Sequence, residues 1–149
     1  MSAIREWYGL YSLIYNFMED EFGYEALVDY WRYIGEKVYS DEADRFRTGG
    51  MPYIRDYFKS RIEVDDGIAT FDVDEHHVVV DIQKCPDYIW QKYFDVNGFT
   101  LPRPHYFRVY EVIYAMVAEK AGLDFSMLRY DETGKLKFEF RKPEGRTAI

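Results

Sequence analysis

Apolar residues recur at helical spacing near the start of the chain. Trp7, Leu10, Tyr11, Ile14, Phe17 and Met18 fall on one stripe and predict a helix from Ile4 to Met18, with Ser2 as its N-cap. A break at Phe22 and Gly23 separates a second helix, Tyr24 to Tyr39, whose stripe is Leu27, Tyr30, Trp31, Ile34 and Val38. Ser40 caps a short helix through Arg47, with Asp41 and Glu42 suited to its positive end. The loop Thr48 to Gly50 stops that helix, and Pro52 opens another through about Arg61.

After the turn signal Asp65 to Gly67 the period changes from helical to alternating. Phe71 and Val73 point one way, Asp72 and Asp74 the other, and the run His76 to Gln83 follows closely enough to form a hairpin. Pro86 starts a helix through about Phe94. A loop with Pro102 and Pro104 leads to a strongly apolar helix from His105 to Ala121, ended by Gly122. Phe125 to Tyr130 and Lys135 to Lys142 make a second hairpin, in which Leu136, Phe138 and Phe140 alternate with Lys135, Lys137, Glu139 and Arg141. The pattern predicts an α+β fold: a helical N-terminal half followed by two antiparallel hairpins packed against a long buried helix. One domain spans residues 1–142, and residues 143–149 form a frayed tail.

Composition narrows the partners. The chain has 149 residues, a usual length for one domain. A net charge of −8 supplies no basic stripe to neutralise phosphates, which argues against nucleic acid and against an anionic membrane surface. A single cysteine excludes an internal disulfide and an all-cysteine metal site. His76 and His77 are adjacent and point to opposite faces of a strand, so no metal is expected. No dinucleotide fingerprint or phosphate loop is present, and no cofactor is expected. With no apolar run long enough to span a bilayer, the expectation is a soluble cytoplasmic protein.

The unusual figure is 15 Tyr, beside 11 Phe and 3 Trp. Buried tyrosine hydroxyls need partners, so the surplus points to an amphipathic cavity wall, an oligomer interface, or a core with wet hydroxyls. Tyr8 and Tyr15 stand partly off their helix's apolar stripe, as do Tyr33 and Tyr39 on the next. They predict an exposed aromatic patch and a homodimer through the Tyr-rich helices.

Two places could carry chemistry. Cys85 precedes Pro86 and so sits at the positive end of a helix, one of the environments that lower a thiol pKa. If the strand persists to Cys85, then His77, Asp81 and Gln83 share its face. The charge of Asp87 opposes activation, and a lone cysteine is commonly just a small buried hydrophobe. The second place is His105, Arg108 and Glu111, spaced three apart on an otherwise apolar helix. They form either a plain Arg108–Glu111 ion pair on a solvated face, or a site where Arg108 grips a carboxylate while Glu111 or His105 moves protons. Tyr106 and Tyr110 are candidate hydroxyl donors to a substrate, and His77 a candidate contact.

Three segments, Phe71 to Pro86, His105 to Gly122 and Asp131 to Lys142, resemble the L-2-amino-thiazoline-4-carboxylic acid hydrolase family. More distantly they resemble 4-vinyl-reductase-type ligand-binding domains. The shared features are a hairpin ending in a Cys-Pro step, a helix with an aromatic pair near its start, and a closing hairpin with Gly134, Phe138 and Phe140. The resemblance implies a small enzyme acting at a C–N bond or heterocycle of a small carboxylate-bearing molecule, in amino-acid or natural-product metabolism. Cys85 matches the family's first cysteine. Its later cysteines are replaced here by Phe107 and by Leu136 or Lys137, which puts multi-cysteine or metal-dependent chemistry in doubt. The leading expectation is thus a hydrolase-like enzyme with Cys85 as nucleophile or acid/base, in a pocket between the sheet and the His105 helix. The alternative is a non-catalytic module that binds an aromatic or planar ligand.

Overall fold

The computed structural model describes residues 5–144. The Ser2 cap, Ile4 and the tail at 145–149 lie outside the described residues. Three helices come first: α1 (Arg5–Phe22), α2 (Tyr24–Val38) and α3 (Ser40–Val64). Strands β1 (Ile68–Val73) and β2 (His77–Lys84) follow, then α4 (Pro86–Tyr93), a 3₁₀ turn (Pro104–Phe107), α5 (Arg108–Ala121), β3 (Asp124–Arg129) and β4 (Lys137–Arg141). This is the α+β arrangement expected, with a helical first half and two hairpins.

The differences in the helices have local causes. The predicted stop at Thr48 to Gly50 is a kink, because only Gly50 leaves helical geometry (φ 72°, ψ −166°) and the chain resumes its helix at once. Positive φ there suits glycine, and Pro52 then occupies a first-turn position where its missing N–H costs nothing. The His105 helix begins as a tighter 3₁₀ turn after Pro104 and becomes α-helical at Arg108. Its end is as read: Gly122 adopts the left-handed conformation (φ 76°, ψ 28°).

The two hairpins form one antiparallel sheet in the order β1-β2-β4-β3. Val80 lies opposite Phe138 and Val78 opposite Phe140, so the apolar residues of both central strands share a face. That face packs on α3 and α5 around Phe46, Phe58, Tyr114 and Val117. Phe58 meets Phe138 at 5.0 Å between ring centroids, and Phe46 meets Phe140 at 5.5 Å. Each such buried ring contributes roughly 1.5–3 kcal/mol by burial, and each edge-on pair about 0.5–1.5 kcal/mol more. The other face carries Thr70, Asp72, Asp81 and Lys137 and faces water. One turn of the hairpin is tied by Asp74, whose carboxylate accepts the His76 and His77 backbone N–H groups at 2.7 and 2.9 Å.

The turn before β4 closes over the start of α4. Gly134 has φ 77°. A β-carbon there would lie 2.7 Å from Cys85 Cβ and 2.9 Å from Phe107 Cε1. Gly134→Ala is expected to lower unfolding stability by about 1–3 kcal/mol, read from the urea midpoint at unchanged slope. Gly98 also has positive φ (82°) but meets nothing within 4 Å. Gly98→Ala therefore reports the backbone penalty alone and should cost clearly less; equal losses would contradict the close packing at Gly134.

Candidate functional site

The approach of α1, α2 and α5 leaves a cavity of about 520 Å³. It lies on the helical side of α5, away from the sheet. No strand residue lines it, which corrects the expected position between the sheet and the His105 helix: on the sheet side Phe138 and Phe140 are fully buried in the core. Seven tyrosines line the cavity. Tyr8, Tyr11 and Tyr15 come from one face of α1, Tyr30 from α2 and Tyr39 from the α2–α3 junction, while Tyr110 and Tyr114 form the floor from α5. Leu10, Ile14 and Val38 also line it and are solvent-exposed, so they mark its mouth. Three of the off-stripe tyrosines are thereby accounted for. Tyr8, Tyr15 and Tyr39 turn into the cavity instead of forming a surface patch, and only Tyr33 is exposed.

Among the described residues two charged side chains reach this cavity, Arg61 and Asp87. Arg61 belongs to the last turns of α3 and lies at the exposed end, its guanidinium carbon 4.4 Å from the centre of the Tyr57 ring. Asp87 belongs to the first turn of α4. Burial pushes its carboxyl up to about 6, a hydrogen bond from Tyr110 works the other way, and the nearby Asp65 charge adds to the rise. Among the described residues no Arg, Lys or His forms an ion pair with it. The tyrosine hydroxyls are held protonated: burial first, and the Asp87 charge next, raise those of Tyr8, Tyr11, Tyr15 and Tyr110.

Helix α1 closes one side through polar ties at both ends. The Tyr8 hydroxyl donates to the buried Asp65 carboxylate at 2.7 Å, and Arg5 reaches Asp65 at 3.5 Å and Asp66 at 2.9 Å. The same Arg5 lies 4.3 Å over the Trp90 ring, and Trp90 Nε1–H donates to the Asp65 carbonyl at 2.7 Å. At the far end Glu19 pairs with Arg103 at 2.5 Å and with His105 at 2.6 Å.

Cys85 lies beneath the floor and does not line the cavity. The strand-parity expectation that grouped it with His77, Asp81 and Gln83 is corrected. Ile68 pairs with Lys84 but Ala69 with Ile82, so Gln83 is an extra residue in β2. This bulge turns both Gln83 and Lys84 outward and Cys85 inward, next to the core face of Val78, Val80 and Ile82. The thiol is 1 % exposed, and its Sγ lies 3.6 Å from the Tyr110 hydroxyl oxygen. Burial, then the Asp87 charge, pushes its pKa up to about 12, which outweighs the lowering effect of the Tyr88 and Asp87 backbone N–H groups.

The other sequence candidates are dispersed. Arg108 accepts no role in the cavity: it donates to the Tyr24 hydroxyl at 2.8 Å and pairs with Glu111 at 3.4 Å on a half-exposed face. His105 is held by Glu19. Tyr106 is buried in a separate cluster with Leu27 and Trp31 and donates to Asn16. His77 lies at the start of β2 beside Asp72 and Asp74, both at 3.6 Å. Of the seven candidates only Tyr110 lines the cavity, with Cys85 behind it. Arg61, Asp87 and the α1 tyrosines escaped the sequence reading as site residues, although the tyrosine surplus was their visible signal. No group of His, Cys, Asp and Glu among the described residues could hold a metal ion, and no described helix is long and apolar enough to cross a membrane.

No protein-family model matches the chain, and no curated protein or solved structure is similar enough to it to count as a match. The family resemblance therefore rests on the short motifs alone.

Two outcomes follow from this geometry. Cys85 should resist a thiol reagent at pH 7.5 in the native protein and react only after urea unfolding, since the thiolate is the reactive form. Rapid labelling of the folded protein would show the thiol to be accessible. Asp87 binds its proton more tightly folded than unfolded, so its contribution to stability is present below about 3.8 and lost as pH rises to about 6. Asp87→Asn should therefore be more stable than the parent above that window, by on the order of 2 kcal/mol. The difference should shrink as pH falls through it; a variant less stable at pH 7.5 would mean that the carboxylate has a counter-charge.

Proposed function

We propose that the protein is a small-molecule-binding module that takes one aromatic ligand into the tyrosine-walled cavity. The observation that carries this reading is the cavity itself: about 520 Å³, within the range of small-molecule sites, with an aromatic wall and two charged groups to orient a guest. Tyrosine rings offer edges and faces to another ring while their hydroxyls donate or accept hydrogen bonds at its periphery. The open mouth at Leu10, Ile14 and Val38 provides an entry.

Binding is preferred to cysteine-based hydrolysis of a carboxylate-bearing substrate for two physical reasons. A sulfur behind the floor, protonated at neutral pH, cannot attack a guest in the cavity. The guanidinium expected to anchor a substrate carboxylate is engaged by Tyr24 and Glu111 on a different face.

Isothermal titration with p-cresol tests the reading. One-site saturable binding is expected with a Kd below about 1 mM, or roughly 4 kcal/mol. Val38 is exposed at the mouth, so Val38→Trp should weaken binding at least about tenfold (some 1.4 kcal/mol) while leaving the melting temperature near that of the parent. Absence of saturable heat, or equal affinity in the Val38→Trp protein, would remove the cavity as the binding site.

A further inference from the structure

A carboxylate placed among aromatic rings with no counter-ion is costly unless something positive visits it. Asp87 is in that position. It lines the cavity, it has no ion-pair partner among the described residues, and the Asp65 carboxylate adds a like charge to its surroundings. The neighbouring cations are committed elsewhere. Arg5 is held by Asp65, Asp66 and the Trp90 ring, and Arg61 stacks on Tyr57 toward the exposed end.

Asp87 shares the cavity wall with Tyr8, Tyr11 and Tyr15 of α1, Tyr39 at the α2–α3 junction, Tyr110 of α5 and, at the exposed end, Arg61 of α3; Cys85 precedes α4 and Asp65 follows α3. Of these only Arg61 is cationic. The negative faces of tyrosine rings attract a cation, and attract it more strongly where water is excluded. A guest anion could meet Arg61 only at the exposed end, where water screens it; beside Asp87 it would meet the same rings and a like charge.

We infer that the cavity selects aromatic amines, with the ligand's ammonium group against Asp87 and its ring among the tyrosines of α1 and α5. This rests on the cavity being the ligand site proposed above. It adds the charge of the guest and the residue that reads it. The chemistry is that of a small arylalkylamine; an aromatic acid or alcohol of equal size has no group that can compensate Asp87.

Three probes of matched shape separate the possibilities: phenethylamine, its neutral isostere 2-phenylethanol, and phenylacetate, each titrated into the full chain at pH 7.5. The amine should bind at least tenfold more tightly than the alcohol, and phenylacetate more weakly than either. Asp87→Asn, which keeps the side-chain shape, should bring the amine-to-alcohol ratio near one. In the unmodified protein the same ratio should fall when the titration is repeated at pH 5, because Asp87 then takes up a proton while the amine stays charged; this arm needs no variant. An amine that binds no better than the alcohol overturns the charge selectivity and leaves the aromatic cavity in place. A preference that persists in Asp87→Asn, or a ratio at pH 5 equal to that at pH 7.5, also overturns it. Failure of all three probes to bind overturns the cavity reading itself.

Discussion

Along α5 two faces have to be covered at once. Tyr114, Val117 and Ala121 turn to the sheet, where the Tyr114 ring stacks with Phe138 at 6.4 Å and 7° between planes. Val109, Tyr110 and Ile113, and Tyr114 itself, also border the cavity beneath the helical layer. A single four-stranded sheet can cover only one of these faces. The three N-terminal helices are needed for the second, which is why a helical half precedes the hairpins in a chain of this size. The hydroxyls of Tyr57 and Tyr114 meet at 2.9 Å where the two layers join, so the polar ends of buried rings are satisfied by each other.

The second covering is incomplete, and the incompleteness has a chemical origin. Leucines in place of the α1 tyrosines could interdigitate with Val109 and Ile113 and close the gap. Tyrosine rings bring hydroxyls that must keep polar company, and Asp87 brings a charge that packing cannot neutralise. Helix α1 is accordingly a light cover. Its buried residues are only Gly9 and Ser12, while Leu13 and Phe17 on its outer side remain exposed. It is held by ties at its two ends, Arg5 and Tyr8 to Asp65 and Glu19 to Arg103 and His105, with the cavity between them. An element attached in this way belongs to the low-stability end of a fold, where ligand entry is least expensive.

Much of the architecture was legible because it depends on periodicity. Leu136, Phe138 and Phe140 alternate, and so do Val78, Val80 and Ile82; nothing distant alters that signal. The two places where the reading slipped depend on geometry that periodicity does not carry. One unpaired residue, Gln83, inverts the parity of β2 and moves Cys85 from a polar face to the core. Gly50 bends α3 without ending it. The site was harder to read for a different reason. Its walls come largely from α1 and α5, about a hundred residues apart, and its charges come from the end of α3 and the start of α4. Asp87 was visible in sequence only as a neighbour that would suppress the thiol, and it does so. Its larger consequence, a carboxylate with no ion-pair partner set among tyrosines, requires the long-range packing to be seen. His105, Arg108 and Glu111 drew attention as polar residues on an apolar helix, and their partners Glu19 and Tyr24 lie on segments no local spacing could have connected to them.

The selectivity of the cavity depends on a carboxylate without an ion-pair partner among aromatic rings. The most direct measurement is the titration of the Asp87 carboxyl carbon by NMR in the folded protein, assigned by its disappearance in Asp87→Asn. A midpoint near 6, moving down when phenethylamine occupies the cavity, is the result expected. A midpoint in the ordinary range of a solvated aspartate, about 3.9, would show that water or a counter-charge already satisfies the group. The cavity would then have no stake in the charge of its guest.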